Sequence, residues 1–364
     1  MKITRVESLV LNLPMVIEGP APMLGGRART SIDMLLVRVE TDAGIVGWGE
    51  AFGHRIFHAT RAAIDTLLGP MCVGRDPREI LALNDDLQRV LHGVGRNGPT
   101  IYALSGIDIA LWDIAGKAAG LPLYRLLGGG ARADLPAYAS LLRYGKASAV
   151  ARYTAQALER GYRHIKLHEI TVPEIEAGRD VAGPDVPIMV DANCPWTVTE
   201  AIEMAHRLAP FNLHWLEEPV WPPEDLAGLA EVRARGGIPT AAGENYGTVW
   251  EFRRACDARA ISYAQPSVTK IGGVTELRRV VALAETSGVE VVPHSAYFGP
   301  GLLASIHCIA AMPRETLVER FYCDFADNPL GDAIHPKNGR IAVPQGPGLG
   351  VDPDPRFIEM LRTS

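Results

Sequence analysis

The chain has 364 residues, 47% hydrophobic and 21% charged, and its 42 acidic against 36 basic side chains leave a net charge of -6. That balance suits a globular protein with a large core and gives none of the basic footprint that nucleic acid or an anionic membrane would require. Five scattered cysteines, without CxxC spacing, argue against disulfides and cysteine-bound zinc; with neither a membrane-length apolar run nor a signal-peptide profile, the protein is expected in the cytoplasm.

From "MKITRVESLVLNLP" through "TSIDMLLVRVETDAGIVGWGEAFG", apolar and polar residues alternate around a turn signal at Asp42–Gly44, which predicts a small antiparallel sheet. Beyond it the period becomes helical in "RAAIDTLLGPM", "REILALNDDLQRVLHG" and "TIYALSGIDIALWDIAGKAAG", with Gly120 and Pro122 as stop signals. Residues 1 to about 125 read as one α+β unit.

From residue 133 to residue 320 the rhythm changes. "ADLPAYAS" is followed by "YRHIKLH", "VPIMVDAN", "LHWLEEP", "IPTAAGE", "ISYAQPS", "VEVVPHS" and "TLVERF", separated by longer amphipathic stretches. Polar residues near the ends of the last seven, Lys166, Asp191, Glu217, Glu244, Ser267, His294 and Glu319, recur about every 25 residues, the length of one strand-plus-helix unit. Eight such units fit a closed (β/α)8 barrel or an open doubly wound sheet. The near-equal units and the lack of a GxGxxG after the first strand favour the barrel.

In a barrel the C-terminal ends of the strands surround one site. Asp191, Glu217 and Glu244 would then face a common point. Singly, each reads as a strand end or a helix cap. Together they would repel one another, and a divalent cation with oxygen preference, Mg2+ or else Mn2+, resolves the repulsion. Within "YRHIKLHEI", His164, Lys166 and His168 share one face by alternation, with Lys166 and His168 nearest the catalytic end and His164 deeper and structural.

The ordered motifs "SGIDIALWDIAGKAAGLPLYRLLGG", "KLH", "VDAN", "WLEEP", "GEN", "KIGGVTE", "PHS" and "VERF" resemble the enolase superfamily, and within it the mandelate racemase/muconate lactonizing enzyme family, over nearly the whole chain. The resemblance implies an α+β capping domain at 1–127, a modified (β/α)7β barrel at 128–320, and a C-terminal segment at 321–364 that returns to the cap. It further implies Mg2+ held by Asp191, Glu217 and Glu244, with a small-molecule carboxylate as substrate. Lys166 would add positive charge at that carboxylate, and Glu319, if protonated, a hydrogen bond. Asn193 is expected beside the metal or the substrate, and Glu218 as the partner of a lysine. A homo-oligomer is also expected.

Two positions depart from the family's commonest patterns. His168 stands where many members have the second Lys of Lys-x-Lys, and Ser267 stands where an Asp usually orients the histidine, here His294. A hydroxyl stabilises an imidazolium less than a carboxylate does, so His294 is expected to be a weaker base, suited to act as an acid. The expected reaction has His168 removing the α-proton and His294 protonating a leaving β-hydroxyl, which dehydrates an acid sugar or related hydroxy acid to a 2-keto acid. The alternatives are racemisation or epimerisation, with His294 serving the opposite face, and a non-catalytic metal-binding barrel. No GxSxG elbow supports a serine hydrolase. Cap segments Ile17–Thr30 and Phe52–His58 carry Arg27, Arg29, His54, Arg55 and His58, donors for a polar or second anionic end of the substrate, and Tyr297 is expected to line the pocket.

Overall fold

A computed structural model of the chain describes residues 1–17, 21–24 and 27–363. Strand β1 (Ile3–Val16) is followed by a short antiparallel pair, β2 (Met23–Leu24) and β3 (Arg27–Ala28), and then by β4 (Ser31–Thr41) and β5 (Val46–Ala51). Antiparallel pairing joins β1 to β4, with Val10 opposite Leu35, and β4 to β5 across a turn in which Gly44 takes φ 77°. The alternation expected of this sheet gives way in its middle to two apolar faces, because both are buried. Leu9, Leu11, Leu13, Met34 and Leu36 join the barrel's core, while Val10, Leu35, Val37 and Val39 join a second core under the cap helices.

Those helices are α1 (Phe57–Ala62), continued by a wider-wound segment at Ala63–Leu68, α2 (Gly69–Cys72), α3 (Ile80–Val90), α4 (Pro99–Ala119) and α5 (Leu123–Leu126). Helix α4 ends where Gly120 adopts φ 67°, the left-handed geometry of a helix C-terminus that glycine tolerates best. It lies so close to β5 that a Cβ on Gly49 would fall 1.9 Å from the Gly106 carbonyl oxygen.

Strands β6 (Asp134–Ser140), β7 (Ile165–Leu167), β8 (Ile188–Asp191), β9 (Trp215–Glu217), β10 (Thr240–Ala242), β11 (Tyr263–Ala264), β12 (Glu290–Val291) and β13 (Val318–Phe321) form one parallel curled sheet, in the order β12-β11-β10-β9-β8-β7-β6-β13. Between successive strands run α6 (Ala147–Glu159), α7 (Val172–Ala182), α8 (Val198–Leu208), α9 (Leu226–Gly236), α10 (Val249–Asp257), α11 (Gly273–Ser287) and α12 (Pro300–Ala310). No barrel helix follows β13, so the architecture is (β/α)7β. At the β12/β13 seam the Thr316 hydroxyl donates to the Val291 carbonyl at 3.2 Å. Tyr138, Met189, Trp215, Ala241 and Val292 fill the interior beneath the strand ends. Trp215 and Glu217, two apart on β9, both point inward, as the period of a strand requires.

The C-terminal segment contacts both parts of the molecule. Strand β14 (Asp324–Phe325) pairs with β1, and Thr363 N, just past α13 (Pro355–Leu361), donates to Val10 O at 2.9 Å. Strand β15 (Arg340–Ala342) pairs antiparallel with β6, so the segment also extends the barrel sheet, a contact that a simple return to the cap does not anticipate. Among the described residues no helix is long and apolar enough to cross a membrane.

Candidate active site and metal centre

Successive strands β8, β9 and β10 deliver Asp191, Glu217 and, two residues past the end of β10, Glu244. One carboxylate oxygen from each lies within 4.8 Å of the others. Asp191 and Glu217 are held from behind. Asp191 Oδ1 accepts from the backbone N and the side-chain Nδ2 of Asn193, at 3.0 and 2.8 Å. Glu217 Oε2 accepts from Trp215 Nε1 at 2.9 Å and Gln265 Nε2 at 2.7 Å. Burial first, and then Asp191 beside it, push Glu217 up to about 7. A buried oxygen set of this kind fits a hard divalent cation and leaves the carboxylates costly to ionise without one.

Cationic side chains surround the trio. Lys166, on β7, is completely buried, with Nζ 2.9 Å from Glu217 Oε1, 2.8 Å from Glu319 Oε1 and 3.4 Å from Asp191 Oδ2. Burial alone would strip its charge, but Glu217 and Glu319 outweigh burial and hold the ammonium well above its ordinary range. Glu319 is anchored on β13, where Oε2 also accepts from Ser295 N at 2.7 Å. Against burial, Lys166 and His294 pull it down to about 2. The ion pair with Lys166 and the Ser295 N–H both favour the carboxylate form of Glu319.

The two histidines approach from strands separated on the ring by β13 and β6. His168 Nδ1 bonds the carbonyl oxygen of Leu141, so that nitrogen must carry the proton, and Nε2, 3.1 Å from Asp191 Oδ2, is the one available for proton transfer. Burial opposes its charging, yet Asp191 raises its pKa overall. His294 Nε2 lies 3.0 Å from Glu244 Oε2, and its Nδ1 lies 3.2 Å from the Ser267 hydroxyl.

Other expected positions fall into place differently. Tyr297 does not line an open pocket: it is buried, and its hydroxyl donates to His294 O at 2.8 Å and accepts from Val268 N at 3.1 Å, so it braces the Ser267–His294 pair. Asn193, expected to contact substrate, holds Asp191 and accepts from Arg143 Nη2 at 3.3 Å. Glu218 reaches a lysine only indirectly: Asn245 donates to Glu218 Oε2 at 2.8 Å and accepts from Lys270 Nζ at 3.0 Å.

From the cap, the His54 ring lies tilted by 34° against Phe52 with ring centres 4.9 Å apart, and burial first, then Arg29 and Lys270, push it down to about 3, so it is a neutral donor. Arg27 is exposed on β3, whereas Arg29 is half-buried, its pKa lowered by burial first and then by Arg55. Arg55 and His58 are exposed. Residues 18–20, 25 and 26 of the expected Ile17–Thr30 loop lie outside the described residues.

Arg143, Gln265 and Asn245 were not legible as site residues. Arg143 follows β6 and donates to the carbonyls of His168 and Ala192, tying the ends of β7 and β8 together. For Gln265 the signal was its place two residues before Ser267 in "AQPS", and for Asn245 its place directly after Glu244 in "GEN".

Comparison with known proteins decides the family. Residues 149–357 match the enolase C-terminal domain-like family and residues 10–128 the mandelate racemase/muconate lactonizing enzyme N-terminal domain. The chain belongs to the mandelate racemase-like enzymes of the enolase superfamily. Among curated members of this superfamily, D-galactarolactone cycloisomerase of Agrobacterium fabrum is 36% identical over 87% of this chain and 88% of its own length. Arabinonate dehydratase of Saccharolobus solfataricus is 31% identical over 92% of this chain and 91% of its own. A solved racemase from Streptomyces coelicolor A3(2) with bound magnesium superimposes with a TM-score of 0.89 at 31% identity, covering 99% of this chain and 100% of that one. As an enolase-superfamily enzyme this chain is a lyase or an isomerase.

Proposed function

We propose that the protein dehydrates an acid sugar or related hydroxy acid to a 2-keto acid, with Mg2+ held by Asp191, Glu217 and Glu244. Bound there, the ion supplies positive charge where the substrate carboxylate gathers negative charge as its α-proton leaves. Lys166 presents its ammonium to the same carboxylate. His168 Nε2 accepts the α-proton, and the imidazolium so formed is stabilised by Asp191 and by the Leu141 carbonyl. His294 delivers a proton from Nε2 to the departing β-hydroxyl, which leaves as water, and the resulting enol tautomerises to the keto acid.

The observation that carries this reading is the pair of imidazoles brought to one carboxylate cluster, each with Nε2 beside a carboxylate, Asp191 for His168 and Glu244 for His294, but with different groups behind Nδ1: the Leu141 carbonyl for His168 and the Ser267 hydroxyl for His294. The dehydratases among the relatives support it. A second reading, isomerisation, is favoured by the 3.0 Å contact of His294 with Glu244, which allows His294 to exchange a proton with the opposite face, and by the cycloisomerases among the relatives.

A panel of acid sugars and α-substituted acids, assayed with Mg2+ for 2-keto acid and for optical rotation together, tests the proposal. Keto acid formation is expected. Optical change without keto acid would replace dehydration by isomerisation, and keto acid formation unchanged by EDTA would overturn the metal assignment.

A further inference from the structure

On the outer side of β13, a buried cation is left without an ionic partner among the described residues. Glu319 points into the barrel, so the next residue, Arg320, points outward, where it is 3% exposed and lies over the Phe298 ring with its Cζ 4.7 Å from the ring centre. Its Nε donates to the Ile334 carbonyl at 3.0 Å and its Nη1 to the carbonyls of Phe321 and Cys323. Nη2 has no acceptor among the described residues, and no described carboxylate lies within 4.0 Å of the guanidinium. A fixed charge buried in this way is costly unless something anionic meets it.

The space beside Arg320 is a cavity of about 200 Å3 lined by donors from three parts of the chain. Arg160, at the end of α6, contributes a second guanidinium, paired with Asp324 at 2.8 Å. Tyr162 contributes a phenol, and His335 an imidazole. The Asn328 Oδ1 accepts from Leu330 N, so its amide nitrogen faces His335 Nε2 at 3.3 Å; that nitrogen is an acceptor, and Nδ1 carries the proton. The wall therefore offers two permanent cations against the single carboxylate of Asp324.

We propose that this cavity binds a small oxyanion, either free inorganic phosphate or the carboxylate of a small organic acid, with Arg320 Nη2 and Arg160 as its charged donors. The site is separate from the carboxylate trio, because β13 lies between them and Arg320 and Glu319 face opposite sides of that strand. Occupancy would fix the C-terminal segment, which supplies His335, against the strand that carries Glu319.

The test compares thermal unfolding in inorganic phosphate, in acetate and in chloride at matched ionic strength and pH. A saturable rise of about 3 °C is expected for the bound oxyanion at a concentration about 100-fold above its Kd, and none in chloride. A rise in phosphate alone identifies phosphate, and one in acetate identifies a carboxylate. Arg320 staples three carbonyls, so its replacement could fail to fold; Arg160, half-exposed, is the residue to change. Arg160→Glu should keep its Tm in chloride within a few degrees and lose the oxyanion-dependent rise, whereas Lys166→Met, altered inside the barrel, should keep it. A rise that survives Arg160→Glu, a rise lost in Lys166→Met, or no rise in either oxyanion overturns the proposal.

Discussion

The hydroxyl of Ser267 lies 3.2 Å from Nδ1 of His294 and is itself backed by the buried hydroxyl of Tyr297 at 3.4 Å. Tyr297 donates its one proton to the His294 carbonyl and accepts from Val268 N, so Ser267 is the donor towards Tyr297 and the acceptor of the His294 Nδ1–H. His294 is thereby fixed with Nε2 facing the cluster. Ser267→Ala should lower kcat about 10-fold while leaving KM within a factor of a few, since geometry is lost and substrate contacts are not. Ser267→Asp should make His294 a stronger base and increase solvent deuterium appearing at the α-carbon of recovered substrate. An unchanged kcat in Ser267→Ala would remove the hydroxyl from the mechanism.

His168 offers the sharpest test of which histidine takes the α-proton. His168→Asn keeps a polar side chain of similar size and removes the base, so α-proton exchange with deuterium oxide, followed by NMR, should fall by about 10²–10⁴-fold. Exchange that persists at the wild-type rate would transfer the role to His294.

Metal dependence follows from the donor set. EDTA should abolish turnover, and Mg2+ should restore it and raise Tm, because a divalent ion relieves the repulsion among Asp191, Glu217 and Glu244. Asp191→Asn should lose both the restoration and the Mg2+-dependent rise in Tm. A full rise in that variant would place the ion elsewhere.

Glu50 makes a pH prediction away from the carboxylate trio. From the end of β5 in the cap, its Oε2 accepts backbone N–H groups of Gly299 and Gly301 at 2.9 Å each, at the start of α12. Burial raises its pKa from 4.5 to about 7 despite those bonds. With the folded value above the unfolded one, the folded state binds the extra proton between about pH 4.5 and 7, so this group's stabilisation is complete below that window and is lost as pH rises through it. The loss is on the order of 3 kcal/mol. Glu50→Gln, which keeps an acceptor for both N–H groups, should flatten the decline of stability with pH across that window in urea unfolding; a parallel curve would mean that Glu50 does not titrate there.

The sequence by itself determined the fold class and which polar residues meet at one end of the barrel. Strands repeat about every 25 residues and deliver their C-terminal ends to one mouth, so Lys166, Asp191, Glu217, Glu244, His294 and Glu319 could be placed together from spacing alone. Alternation along β7 added His168, and a place at the other end of that strand set His164 apart; His164 sits near His214, with its pKa lowered by burial first and then by His214.

What each of these residues touches was decided only by tertiary packing. Arg143 meets the ends of β7 and β8, Glu50 reaches α12 across 249 residues of chain, and the phenol of Tyr297 turns away from the mouth to brace a neighbour. The charge state of Glu319 likewise waited on a lysine held at 2.8 Å by a different strand. Periodicity fixes which face a side chain occupies, but hydrogen bonds and pKa shifts depend on ångström-scale distances between elements far apart in the chain. Those distances are set by how cap, barrel and C-terminal segment pack together.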